Sequence, residues 1–267
     1  MAKLSSLVET KIKHIMLFGP PKAGKTLHVG KLAKFKKLVW FDLENGFGTL
    51  FQLPADLQDN IELIHIPDNR GIPMAIETML KVVKGLPVSI CHDHGKVLPC
   101  ALCVKNYPAP ATIPSTSVHL NALDNDSALV VDSATQLTNS AIAHITKGKP
   151  DDYKLEYDDW AFLGKLMDTF FSYIQSASYN AIVISHEAEV KMVDKSAKLV
   201  PVGGTSNFNR NVAKYFDEVI YARVVNGKHI LASSTATDNN ILTGSRANVD
   251  LGKIPDANLI VLWGQQA

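Results

Sequence analysis

Short β-rich apolar runs alternate along the chain with stretches whose apolar residues recur at helical spacing. This alternation marks an α/β fold built on a mainly parallel sheet. The runs at residues 14–18, 38–42, 61–66, 128–132 and 181–186 are predicted strands, and residues 25–35 and 73–83 are predicted helices. Phe162, Leu163, Leu166, Met167, Phe170, Phe171 and Ile174 follow a helical period and predict one face of a core helix. Residues 218–225 and 229–233 flank Asn226-Gly227, a strong hairpin signal because a type I′ turn needs positive φ at both central positions. The tail at 256–263 suits a last helix or strand.

Two segments break the pattern. Between about residues 87 and 120 no period is sustained, and prolines, all the cysteines and a Ser-Thr-Ser stretch are gathered there. This reads as an insertion within a single domain spanning 1–267. Residues 187–211 are polar and contain glycines, and they are too long for an ordinary connector. No internal repeat is present.

The bulk properties narrow the class without naming a function. A chain of 267 residues, 46% apolar, buries a core without disulfides. Its net charge of +1 excludes a protein basic all round its surface but leaves room for a local basic groove. Residues 1–8 lack the charged-then-apolar order of a signal peptide, and no apolar run approaches the ~20 residues of a membrane span. A cytoplasmic protein without a membrane partner is expected.

The chemistry begins at Gly19-Pro20-Pro21-Lys22-Ala23-Gly24-Lys25-Thr26, a complete GxxxxGK[ST] motif between a predicted strand and a predicted helix. Its glycines let backbone N–H groups turn toward phosphate oxygens, and the helix start favours an anion. Lys25 is expected to reach the β- and γ-phosphates of ATP or another nucleoside triphosphate, and the Thr26 hydroxyl to ligate Mg²⁺. Asp132 ends an apolar strand at the sheet edge where ligands bind, so it is the expected second carboxylate for Mg²⁺, followed by Ser133 rather than Glu. With no acidic residue beside Asp132, the water-activating base falls to the Asp42-Leu43-Glu44 segment, with Glu44 preferred over Asp42.

Together these residues resemble the RecA-type ATPase core. There, a strand ending in a catalytic Glu follows the P-loop unit, as in Phe41-Asp42-Leu43-Glu44, and the second acidic motif ends in Asp-Ser, as in Asp132-Ser133. A later strand ends in a polar γ-phosphate sensor; Ser185-His186 stands at that point, although the family often uses Gln. More narrowly, the chain is similar to short phage RecA-like recombination or strand-annealing ATPases. That resemblance implies DNA-stimulated ATP hydrolysis in recombination, annealing or replication, and a filament or ring of identical subunits. It also implies single-stranded DNA, and a single-strand binding protein, as partners in the (host) cytoplasm. The loop after the sensor strand is then the DNA contact: Lys191, Lys195, Lys198, Asn207, Asn209 and Arg210 suit phosphates, and Phe208 suits a base. Residues 147–154 are a weaker second candidate. Arg246, in Thr243-Gly244-Ser245-Arg246, resembles a finger that completes a neighbouring subunit's site.

The insertion carries a second chemistry that the resemblance does not predict. Cys91-x-x-His94 and Cys100-x-x-Cys103 form two half-sites whose thiolate and imidazole ligands suit a structural tetrahedral Zn²⁺. His92 is an alternative to His94, which the two-residue gap favours. A different class of reading is a P-loop switch that acts on a protein partner without touching DNA.

Overall fold

The computed structural model describes residues 12–68, 71–192, 195–234, 239–254 and 257–265. Its strands in chain order are β1 (His14–Gly19), β2 (Lys37–Asp42), β3 (Ile61–His65), β4 (Val88–Cys91), β5 (Ser115–Val118), β6 (Ser127–Asp132), β7 (Asn180–Lys191), β8 (Ala197–Pro201), β9 (Glu218–Val225), β10 (Lys228–Ala232) and β11 (Gly244–Ser245). The α-helices are α1 (Lys25–Gly30), α2 (Ala55–Gln58), α3 (Met74–Val82), α4 (Ala134–Ile145), α5 (Tyr157–Gln175) and α6 (Ser206–Asn209). The central sheet runs β10-β9-β1-β7-β6-β2-β3. All neighbours from β9 to β3 are parallel, whereas β10 and β11 run antiparallel to β9. Among the described residues no helix is long and apolar enough to cross a membrane.

The apolar runs are continuous because helices and turns cover both faces of the sheet. Met16, Phe18, Phe41, Leu129, Val131 and Val183 face a core shared with α3, α4 and α5. Their alternating neighbours Ile15, Leu17, Trp40, Val130 and Ile182 face a second core, which α1 and the C-terminal turn Leu259–Trp263 close. Each fully buried side chain of this kind contributes roughly 1.5–3 kcal/mol, so the strand ends that carry the chemistry stand on a rigid base.

Four details depart from the periodic reading. The helix after the P-loop stops at Gly30, a poor helix former, and tightens into a 3-10 turn at Lys31–Lys34. In α5 the buried stripe is Leu163, Met167, Phe170, Phe171 and Ile174, which leaves Phe162 one position off it and exposed. The tail forms the 3-10 turn Leu259–Trp263; residue 256, where the expected tail element begins, lies outside the described residues. The segment 187–211 is not an irregular loop. β7 continues past the sheet to Lys191 and pairs with the antiparallel β8, from Glu187 opposite Pro201 to Lys191 opposite Ala197. Val190 and Val200, both buried, fall on one face of the pair, and the exposed Glu189 and Lys191 alternate with Val190 on the other.

Between α3 and β6 the insertion forms a separate two-stranded ribbon of β4 and β5. It is fastened to the main body at Gly95, whose φ is +61°. A Cβ there would stand 2.8 Å from the Ile66 Cα, and the Thr78 hydroxyl donates to the Gly95 carbonyl at 2.8 Å.

Candidate active site

The P-loop bridges β1 and α1, as its spacing predicts. Gly24 has φ +81°, and a Cβ there would meet the His229 ring at 2.9 Å, so only glycine fits where β10 crosses the loop. Lys25 is buried and donates from Nζ to the Gly19 and Pro20 carbonyls at 2.9 and 2.8 Å. Its ammonium is thus held at the mouth of the loop. Burial pulls its pKa below the ordinary value, against the opposing pull of Asp132, Glu44 and Glu187.

Strand order explains how distant residues meet. β7 lies between β1 and β6, and β2 lies beyond β6 with Asp42 in register opposite Asp132. Asp132, Ser133, Glu44 and His186 therefore converge where β6 and β2 end and β7 leaves the central sheet. The Thr26 hydroxyl donates to Asp132 Oδ2 at 3.0 Å, the Ser133 hydroxyl donates to Glu44 Oε1, and His186 Nε2 lies 3.5 Å from Glu44 Oε2. Burial alone would raise the Glu44 carboxyl, but the contacts from His186 and Ser133 hold it below its ordinary pKa. It is ionised at neutral pH.

Asp42, the other carboxylate of the segment, is fully buried. It accepts the Gly46 N–H at 2.9 Å and pairs with His65 Nδ1 at 2.8 Å. Its oxygens are committed to shaping the turn that presents Glu44. Sequence reasoning also passed over Thr135, whose hydroxyl accepts the His186 N–H at 2.9 Å and fixes the sensor strand to the start of α4. No spacing rule signals that contact, because it joins residues 51 apart.

The donor sets fit the two expected metals. Thr26 and Asp132 offer hard oxygens that converge beside the Lys25 ammonium, as Mg²⁺ requires. Burial, with the nearby charge of Glu44, pushes the Asp132 carboxyl up to about 7, an unbalanced buried anion that a cation would stabilise. In the insertion the ligand atoms of Cys91, His94, Cys100 and Cys103 all lie within 4.8 Å of one another. His94 Nδ1 is 3.2 Å from Cys103 Sγ and 3.7 Å from Cys100 Sγ, spacings compatible with one tetrahedral ion. The ring of His92 points elsewhere, to the Thr116 hydroxyl at 3.0 Å, and is not part of this cluster.

The residues expected to contact DNA do not form one set. Lys191 and Lys195 are exposed and Lys198 half-buried on the β7–β8 hairpin. Phe208 is not available to a base: it stacks on Phe171 and Tyr215, with ring centres 5.8 and 5.9 Å apart. Asn209 is buried, and its side-chain oxygen accepts the Gly203 N–H at 2.8 Å, so it is also structural. Asn207 is exposed, and Arg210 is half-buried. In the second candidate segment the Lys149 ammonium lies 4.9 Å from the Tyr153 ring centre. Arg246 pairs with Asp217 at 2.7 Å beside the first residue of β9, the edge of the sheet opposite the P-loop.

The cradle around Lys25 and Thr26, about 380 Å³, opens past Glu44 and His186 into a cleft of about 760 Å³ lined by Asp68, Gln136 and Asn139. Asp68 is held there by Gln136 and Ser140, at 3.1 and 3.0 Å. Together these parts can grip a triphosphate, hold Mg²⁺ and orient a water at the γ-phosphate. No curated protein matches the chain. A family model described as an AAA domain matches residues 11–247, most of the chain and every residue of this site. The chain belongs to that family of P-loop ATPases.

Proposed function

We propose that this protein hydrolyses ATP to control the grip of the β7–β8 hairpin on single-stranded DNA, within an assembly of identical subunits. One observation carries the reading. His186 faces Glu44 at the γ-phosphate end of the cradle, and the next residue, Glu187, begins the hairpin. Glu44 orients and deprotonates the attacking water, while Ser133 and His186 hold its carboxylate in place. Lys25 neutralises the phosphates, and Mg²⁺ bound by Thr26 and Asp132 would supply further charge stabilisation. Release of the γ-phosphate changes what His186 faces and so tilts the strand that carries Lys191, Lys195 and Lys198.

A second reading, a switch acting on a protein partner, is favoured by the exposed Tyr157, Trp160 and Phe162 at the start of α5. Fluorescence anisotropy of a labelled oligonucleotide separates the two. With an ATP analogue, ADP or no nucleotide, affinity should differ, and by linkage DNA should change ATP affinity by the same factor. Replacing Lys191, Lys195 and Lys198 by Ala should weaken DNA binding, and the loss with salt should be gentle because few cations are involved. Three superimposable weak curves would discard the DNA reading in favour of the protein partner.

A further inference from the structure

We propose that two copies of this chain pair through the outer edge of β5, joining their β4–β5 ribbons into one continuous antiparallel sheet. In the ribbon Ile90 lies opposite Thr116, while Cys91 and Ser89 lie opposite Ser115 and Ser117. The His92 N–H donates to the Pro114 carbonyl at 3.0 Å, which fixes the phase of the ladder. Antiparallel pairs alternate between bonded and non-bonded, so residues 90 and 116 bond each other while 89, 91, 115 and 117 turn their main-chain groups outward. On the β4 side these groups are taken. The Cys91 N–H donates to the Lys96 carbonyl at 2.9 Å, and the Ser89 carbonyl accepts the Leu98 N–H at 2.8 Å. On the β5 side no described strand follows, and among the described residues no backbone group bonds to Ser115 or Ser117 from that side. Both serines are exposed.

Such an edge is a template for a further strand, and proteins ordinarily blunt it with charge, proline or a bulge. This edge has none of these. Pro114 faces β4 with its own main-chain groups, so its missing N–H leaves the outer edge intact. Lys105 is the single Lys, Arg, Asp or Glu between Val97 and Val118. Ile90 and Val118 are packed into the main core, which holds the edge in place. The side chains decide which strand fits. Foreign strands are selected by pockets beside an edge, and two serines flanking a threonine are too small to build one. Ser115-Thr116-Ser117 is instead complementary to itself. Two-fold antiparallel pairing sets Ser115 opposite Ser117 of the second copy, and Thr116 opposite its own counterpart. Both serine pairs are then of the bonded kind, hydroxyl side chains meet across the strands, and no like charges face each other. The contact is separate from Arg246 and from the nucleotide site, so it stands or falls apart from the ATPase reading.

Sedimentation equilibrium of the nucleotide-free full chain tests the contact, read beside amide hydrogen exchange. A small interface made mainly of backbone bonds predicts a weak dimer, half-formed on the order of 10–1,000 µM. The wild-type chain should pass from monomer to dimer across that range. Exchange at the Ser115 and Ser117 amides should slow with concentration, whereas the Thr116 amide, turned toward β4, should not respond. Ser117→Pro deletes an outward N–H without touching the ladder. It should weaken the dimer about tenfold or more, because symmetry removes the bond twice. Ser115→Lys combined with Ser117→Lys sets lysine against lysine and should weaken it similarly, with recovery in about 1 M salt. A chain that stays monomeric throughout would overturn the pairing. So would a dimer that both variants leave unchanged, or one whose formation protects neither serine amide.

Discussion

Asp42 and Glu44 occupy one short segment and carry the same functional group, so composition offers no reason to separate them. Their surroundings do. Asp42 spends both oxygens on the Gly46 amide and His65, whereas Glu44 keeps its carboxylate in the cleft against Ser133 and His186. Glu44→Gln should therefore spare nucleotide binding and slow hydrolysis by on the order of a hundredfold or more. Asp42→Asn should instead lower stability by roughly 1–3 kcal/mol through the lost charge-assisted contact. Steady-state rates and urea midpoints of the two variants check this, and normal hydrolysis by Glu44→Gln would move the base to Asp42. His28 yields a pH prediction. Burial pushes its pKa from 6.5 down to about 4. Between those values the unfolded chain holds the extra proton, so stability falls as pH drops from about 6.5 toward 4 and levels off below. His14 is shifted in the same direction, also by burial. The His28 share is on the order of a few kcal/mol, and His28→Gln should flatten the slope of urea stability across this range. An unchanged slope would assign the effect elsewhere.

At the scale of elements, the insertion and the hairpin differ in what holds them. The β4–β5 ribbon packs Ile90, Val97 and Val118 into the main core, and its outer loops bury a separate small apolar cluster around Cys91, Cys100, Cys103 and Ile113. A cluster this small is the part of the insertion that a metal would hold together, and its thiols are free. About one Zn²⁺ per chain is expected in protein purified without chelators. Cys100→Ser should release it and raise hydrogen exchange across residues 88–118. The change should extend to Ile66, against which Gly95 is packed, but not to β1 or β6. Elemental analysis that finds no metal would refute the site. The β7–β8 hairpin has no such dependence, because β7 is anchored in the central sheet by its first half and Leu199 of β8 is bonded to the backbone of Asn240 and Leu242.

At the scale of the whole molecule, Arg246 bears on assembly. Arg246 belongs to an exposed ion pair with Asp217, a class of contact worth about 0–1 kcal/mol, so losing it should barely affect folding. It stands at the sheet edge remote from its own Lys25, which leaves action on a neighbouring subunit as its route to a phosphate. Arg246→Ala should then reduce hydrolysis only at concentrations where subunits associate, and Glu44→Gln subunits, inactive but retaining Arg246, should partly restore it on mixing. Undiminished activity of the Arg246→Ala assembly would exclude a finger in trans.

The amino-acid order by itself determined whatever depends on neighbours along the chain. The P-loop follows from strand, glycine spacing and helix in direct succession; the Asn226-Gly227 turn follows from positive φ, found at 50° and 75°. The parallel sheet is legible because strands buried on both faces must be apolar throughout, and the cysteine–histidine cluster because its residues lie within one short window. Only the tertiary structure decided matters that join distant residues. It placed β7 between β1 and β6, committed Asp42 to His65, and turned His92 away from the cysteines. It also packed Phe208 into an aromatic stack, although its polar neighbours suggest a mobile loop. The physical reason is common to all four. Local propensity governs dihedrals over a few residues, whereas burial and hydrogen-bond satisfaction are settled by whichever distant strand or helix arrives, and side chains of identical chemistry are told apart only by that arrival.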